Sequence, residues 1–424
     1  MTHGERRNWY RLDNAAKVYP VAQNGSWNPM FRLTAVMCDI VDEQALQQAV
    51  NETAPRFPSM FVCLKAGFFW YYLEQIRGPF KIEPDAMNVC APISKGAPLL
   101  RVRHHANRIS IEVHHSVTDG HGGMTLLKTI LAQYVRIKYG INVPCEHDIL
   151  DIHEAPKHTE TADSFIEFSR MSVLPKRGEP VAYKLNGTRL HTGFMRITTG
   201  VMDTEDLLAL SRSKGVTITE FCVATLVNAA YKLQLLEGKK QRPIKVSVPV
   251  DLRKYYKTET LRNFSQYINT GIDPQYGEFT FDEILSQVHY YLRLMMTEKN
   301  LNARISKNVS DEINIFVRLA PLVLKNAVVF AEYMRNGERL FTMPFSNMGR
   351  TELPAEMARF VDRFDFILHT ARAIACEASA ISYNGRLSIS FSSATEESHM
   401  ERLFFTSLVK QGVHVRIESN VLFD

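Results

Sequence analysis

The segment that most restricts what this chain can fold into runs from Leu100 to Tyr139. Leu100 and Val102 alternate with Arg101 and Arg103, a turn falls near Ala106-Asn107, and Ile109, Ile111 and Val113 alternate with Ser110 and Glu112. Period-two alternation on both sides of a turn predicts a hairpin with one apolar face. Its second strand runs directly into His114-His115-Ser116-Val117-Thr118-Asp119-Gly120, and Gly122-Gly123 then opens a helix through about Tyr139. Successive side chains of a strand point to opposite faces, so His115 falls in phase with Ile109, Ile111 and Val113, and His114 with Ser110 and Glu112. His115 is thus expected to point inward at a strand end, beside a turn that carries a carboxylate and glycines.

An imidazole there suits proton transfer, because its ordinary pKa of about 6.5 leaves it mostly neutral near neutral pH. Asp119 either pairs with that imidazole or holds the turn by pairing with a distant cation, and Gly120 lets the backbone turn without obstruction. His114, His115, Asp119 and His121 are zinc-ligand types, but adjacent histidines on a strand diverge, and no metal is expected. His104-His105 lies beside the hairpin turn without a following Asp-Gly and reads as structural. His153 and His158 are five apart with Pro156 between them, which breaks the helical spacing of a zinc-protease pair. No P-loop, no GxGxxG and no GxSxG occurs, which removes the common NTPase, dehydrogenase and serine-hydrolase readings.

A chain of 424 residues exceeds what one core usually supports, and strand and helix patterns mix on both sides of a polar, proline-bearing stretch from Asn142 to Asn186. The expected division is 1–150, a connector at 151–185, and 186–424. In the first part, Phe31–Ile40 reads as a buried strand, Asp42 caps a helix, and Phe61–Leu73 reads as one strand whose aromatics, Phe68 to Tyr72, belong to the core rather than to a pocket. In the second, Thr217-Ile218-Thr219-Glu220 has the form of a capping box, and Tyr383-Asn384-Gly385-Arg386 is a hairpin signal. Ile313 to Ala331 is the most apolar region, but it carries Arg318, Pro321 and Lys325, so it reads as a buried helix pair and not a membrane span. A net charge of +5 without a basic stripe argues against nucleic acid. Six scattered cysteines and a polar N-terminus lead to the expectation of a reduced, cytoplasmic protein with no stable membrane insertion.

HHSVTDG matches the HHxxxDG pattern of the acyltransferase superfamily that includes chloramphenicol acetyltransferase, condensation domains of nonribosomal peptide synthetases, wax ester synthases and alcohol acetyltransferases. The sequence most resembles the alcohol acetyltransferase and condensation-like branch. Asp42 to Pro58 resembles the helix after the first strand, Val248 to Lys254 (VPVDLRK) the second-half strand that ends in an arginine, and Phe345 to Gly349 (FSNMG) the Ser-Asn-Leu-Gly segment. It departs from the plant branch, since Asp365-Phe366 is followed by Ile367-Leu368 rather than completing DFGWG. The resemblance implies an α/β fold of two chloramphenicol acetyltransferase-like subdomains, each an α+β two-layer sandwich, with a tunnel between them. It implies His115 as general base with His114 as motif neighbour, Arg253 as the partner of Asp119, and a backbone N–H near Gly120 with Ser346 or Asn347 as oxyanion donors. The implied reaction moves an acyl group from acyl-CoA, a co-substrate and not a resident cofactor, to the hydroxyl of a small-molecule acceptor, in a monomer. Two other readings stay open: a freestanding condensation-type enzyme using a carrier-protein phosphopantetheine thioester to form an amide or ester, and a non-catalytic binding member of the same scaffold.

Overall fold

The computed structural model describes residues 8–23, 28–170, 178–191, 193–238, 240–313, 319–371 and 373–421. The hairpin forms as expected, with strands Leu100–His105 and Arg108–His114 and Ala106 in the left-handed region at φ 47°. It belongs to a five-stranded sheet in the order Val361–Leu368, Met30–Met37, Arg108–His114, Leu100–His105, Glu83–Pro84. Helices Glu43–Thr53 and Gly120–Tyr139 cover one face, and Leu33, Ile111, Leu46 and Leu127 share its core. The polar phase of the hairpin is buried too. Arg32, Glu112 and Arg101 lie in register across three strands, and the Glu112 carboxylate meets Arg32 at 3.7 Å, Arg101 at 3.4 Å and Arg103 at 3.4 Å. A charge desolvated this deeply needs such partners, and they tie the strand that carries the histidines to both neighbours.

A seven-stranded sheet has the order Ser265–Ile272, Ile244–Asp251, Met343–Arg350, Cys376–Tyr383, Arg386–Ser393, Arg196–Asp203, Val415–Ser419. Helices Ile218–Glu237, Phe281–Met295 and His399–Lys410 contribute to a second core with Phe345, Phe391 and Phe404. The capping box at Thr217 and Glu220 is present, and Asn384-Gly385 turns between two strands with both φ positive, at 48° and 76°.

One strand departs from the expected division at 185/186. Val361–Leu368, from the second part of the sequence, pairs antiparallel with Met30–Met37 and puts Phe364 and Phe366 into the first core. A small third sheet, Trp9–Arg11, Tyr71–Gln75, Val62–Ala66, corrects the reading of Phe61–Leu73 as one strand. The chain turns at 67–70 instead, where Gly67 N–H donates to the Trp70 carbonyl at 2.9 Å. Phe68 and Trp70 are 72% and 48% exposed, not core. The apolar region at 313–331 is likewise not a buried pair: residues 314–318 lie outside the described residues, and helix Leu322–Asn336 leaves Val323, Leu324 and Val328 exposed. Among the described residues no helix is long and apolar enough to cross a membrane.

Candidate active site between the two halves

The regular strand ends at His114, but side-chain phase persists through the next residue. His115 N–H donates to the Pro29 carbonyl at 2.8 Å, and its ring lies on the Phe31 side, tilted against that ring at 4.8 Å. Tyr19 stacks on the imidazole at 5.1 Å. His114 points the other way, is fully buried, and accepts the Ser116 N–H on Nδ1 at 3.1 Å. Burial, with a smaller contribution from His115, lowers the His114 pKa to about 3. Burial also lowers the pKa of His115, against the opposing pull of Asp119, Asn263, Asp13 and the Thr118 backbone. His115 is therefore a neutral ring near neutral pH. Among the described residues nothing hydrogen-bonds its enclosed Nδ1.

Asp119 does not pair with the imidazole. Its carboxylate caps helix Gly120–Tyr139 through the Gly122 N–H and takes Arg253 in a two-pronged contact, Nη1 to Oδ2 at 2.9 Å and Nη2 to Oδ1 at 3.3 Å. The Phe264 N–H donates to the same carboxylate at 2.8 Å. Burial pushes the Asp119 pKa up, but Arg253 and the Phe264 N–H outweigh it, so the carboxyl lies below its ordinary value. Arg253 is fixed in turn by Asp251 and by the Thr260 and Arg262 carbonyls. This bridge joins the motif loop to the strand end and loop of the second half. Gly122 is required there: a Cβ would fall 2.3 Å from the Leu261 carbonyl oxygen. A Cβ on Gly120 would meet Met348 Sδ at 2.6 Å.

Ser346 and Asn347, on strand Met343–Arg350, separate. Asn347 Nδ2 donates to Thr219 Oγ1 at 3.0 Å while its Oδ1 accepts the Gly349 N–H at 2.8 Å, so its amide is engaged in holding the strand. Ser346 lines the cavity described next, and among the described residues its hydroxyl makes no hydrogen bond. Two neighbours of the motif had no sequence signal of their own. Tyr19 lies on a four-residue helix, and Asn263 donates from Nδ2 to the His115 carbonyl at 2.9 Å and to Asp13 at 3.0 Å. Asn263 follows the Arg253 turn by ten residues, and only the folded loop brings it under the motif.

Tyr19, Asp119 and Arg253 border a cavity of about 2580 Å³ between the two large sheets, walled also by His115, Gly120, Ser247, Ser346, Phe366 and helix Leu322–Asn336, among others. His114 is not among its walls. Among the described residues no cluster of three or more His, Cys, Asp or Glu is arranged to hold a metal ion.

No protein-family model and no curated protein matches this sequence. Solved structures do. Trichothecene 15-O-acetyltransferase from Fusarium sporotrichioides superposes with a TM-score of 0.61 at 12% identity, over 97% of this chain and 96% of that one. Polyketide synthase associated protein 5 from Mycobacterium tuberculosis gives 0.57 at 15% identity, over 95% and 96%. The wax ester synthase/diacylglycerol acyltransferase from Marinobacter aquaeolei VT8 gives 0.58 at 13% identity, over 94% and 98%. The chain has the two-subdomain, chloramphenicol acetyltransferase-like fold shared by acyltransferases and condensation domains.

Proposed function

We propose that this protein is an acyltransferase that moves an acyl group from a thioester, acyl-CoA, to an acceptor hydroxyl, with His115 as the general base. The observation that carries the reading is the His115 imidazole, held between Tyr19 and Phe31 in the wall of a cavity between the two halves. Pockets for one small ligand run to roughly 1,000 Å³, and this one has room for a donor and an acceptor together. The resemblance of HHSVTDG to the acyltransferase pattern and the names of two structurally similar proteins, an O-acetyltransferase and a wax ester synthase, support the same chemistry.

The neutral ring holds its proton on the enclosed Nδ1 and accepts from the acceptor hydroxyl on Nε2. The acceptor oxygen attacks the thioester carbonyl carbon, and the carbonyl π electrons move to oxygen. Ser346 Oγ and a backbone N–H near Gly120 donate to that oxyanion. The tetrahedral adduct then collapses, the C–S bond breaks, and the thiolate takes the proton back from the imidazolium. No acyl-enzyme and no resident cofactor enter this route. Asp119 and Arg253 position the loop and stay outside the proton transfer.

The test is thiol release from acyl-CoA, measured with and without a panel of alcohols. Acceptor-dependent release is expected. Release from an acyl-loaded carrier protein but not from acyl-CoA would transfer the donor role to a carrier, and consumption of neither thioester would overturn the proposal.

A further inference from the structure

One mouth of the cavity has an unusual rim. The turn at 67–70 presents Phe68, Phe69 and Trp70, with Phe68 edge-on to Phe69 at 4.8 Å and Phe69 tilted on Trp70 at 5.9 Å. Helix Leu322–Asn336 is fastened to this turn: the Leu322 N–H donates to the Phe68 carbonyl at 2.9 Å and Lys325 Nζ to the Phe69 carbonyl at 2.8 Å. At helical spacing, Val323, Phe330 and Met334 share one stripe, while Leu324, Val328 and Arg335 share another that walls the cavity. Val323, Leu324 and Val328 are 78%, 61% and 68% exposed. Soluble surfaces rarely leave so many large apolar side chains contiguous, and such a patch marks an interaction site.

Charge selects among the occupants. Arg11 lies over the Trp70 ring at 5.8 Å and Lys325 reaches the Phe69 carbonyl of the same turn, while Lys17 and Arg335 line the same cavity together with Glu332 and Glu338. Lys17 is close enough to Lys325 that, after burial, its repulsion helps lower the Lys325 pKa. Glu332 is the helix's only acidic residue. A symmetric contact with a second copy would set this cationic rim against itself. An anionic lipid surface satisfies both features at once: aromatic and aliphatic side chains enter the interface, and Lys and Arg meet the headgroups.

We propose that this rim docks the protein, without spanning, on an anionic bilayer, so that the mouth of the cavity opens onto lipid. Amphipathic molecules dissolved in that bilayer would then enter without crossing water, a consequence that rests on the acyl-transfer reading; the docking does not.

Co-sedimentation of the full chain with two kinds of vesicle tests it, pure phosphatidylcholine and phosphatidylcholine mixed with phosphatidylglycerol in roughly equal parts. Binding to the mixed vesicles is expected, weaker on the neutral ones and weakened by salt. The double variants F68S/W70S and V323S/L324S should each lower vesicle affinity roughly tenfold or more with unchanged thermal unfolding. L236S, which removes an equally exposed leucine from helix Ile218–Glu237, should leave binding unchanged. Failure to bind either vesicle, or binding indifferent to the rim variants, overturns the proposal. Dimerisation abolished by the rim variants in the absence of vesicle binding would overturn it in favour of a second copy as occupant.

Discussion

The motif loop at 115–119 and the strand Met343–Arg350 reach the cavity from opposite halves, and they differ in how much of their polar surface the fold has already used. In the loop nearly everything is engaged. Asp119 is held by Arg253, Phe264 and Gly122, the Thr118 hydroxyl donates to the Leu261 carbonyl at 2.5 Å, and the His115 carbonyl takes the Asn263 amide. Among the described residues the Ser116 hydroxyl has no partner, but it does not reach the cavity, so of the loop's groups that do, the imidazole is what remains. On the strand, Asn347 is consumed by Thr219 and Gly349, and the Ser346 hydroxyl remains. Each of these two segments therefore offers the cavity one group that its own frame does not need. Chemistry at this site is defined by subtraction: the frame fixes geometry with the groups it engages and exposes the one it leaves.

Removing the leftover group from the loop should have the largest effect. His115→Ala should cost on the order of 10²–10⁴-fold in turnover, the usual range for loss of a general base, with thermal unfolding close to wild type. His114→Ala is the control one residue away. It empties a fully buried site and removes the acceptor of the Ser116 N–H, so its main effect should be on stability. A folded His115→Ala protein that turns over like wild type would remove His115 from the mechanism.

That contrast between neighbours was legible in the sequence, because strand alternation is local and His115 sits one step beyond an unbroken run. Helix caps and the Asn384-Gly385 turn were legible for the same reason. The Asp119–Arg253 pairing spans 134 residues and came from family resemblance, not from spacing. Asn263 and Tyr19 gave no signal, since their placement beside His115 depends on how two loops meet. The aromatics at 68–70 were misread because apolar composition says that a side chain favours burial, not that anything covers it. The division at 185/186 gave no hint that Val361–Leu368 crosses to the first sheet, because nothing local in a strand names its neighbour, and only the seat beside Met30–Met37 decides.

Arg253→Ala attacks the frame instead. It leaves the Asp119 carboxylate buried with two backbone N–H donors and no cation, and breaking a buried pair on one side costs roughly 3–5 kcal/mol. Denaturant unfolding should show that loss, and activity should fall with it because the motif loop is no longer tied to the second half. A stability loss well under 1 kcal/mol would show that the bridge is dispensable.

On the strand, Ser346→Ala should lower kcat by up to about 10²–10³-fold, the usual cost of one oxyanion donor, with little change in stability. Asn347→Ala should do the reverse, loosening the strand through Thr219 and Gly349. Equal kinetic effects at the two positions would erase the distinction between the engaged and the remaining group.

Acid separates the two histidines by a smaller effect. Near neutral pH, His114 is uncharged whether the chain is folded or not. Below about 6.5 the unfolded chain takes up a proton that the folded His114, with its pKa near 3, refuses, so stability falls by about 1.4 kcal/mol per pH unit on this account. His115, also lowered by burial, adds to the slope in the same direction, and Asp119 contributes only in stronger acid. Urea midpoints of wild type and His114→Asn, measured from neutral pH down to about pH 4, should converge as the pH falls, since the variant keeps a polar side chain there but no titrating ring. Parallel curves would mean that His114 does not stay a buried neutral ring in the folded chain. The acid limb of kcat/KM should lie below the ordinary histidine value, because burial keeps His115 competent as a base in mildly acidic solution.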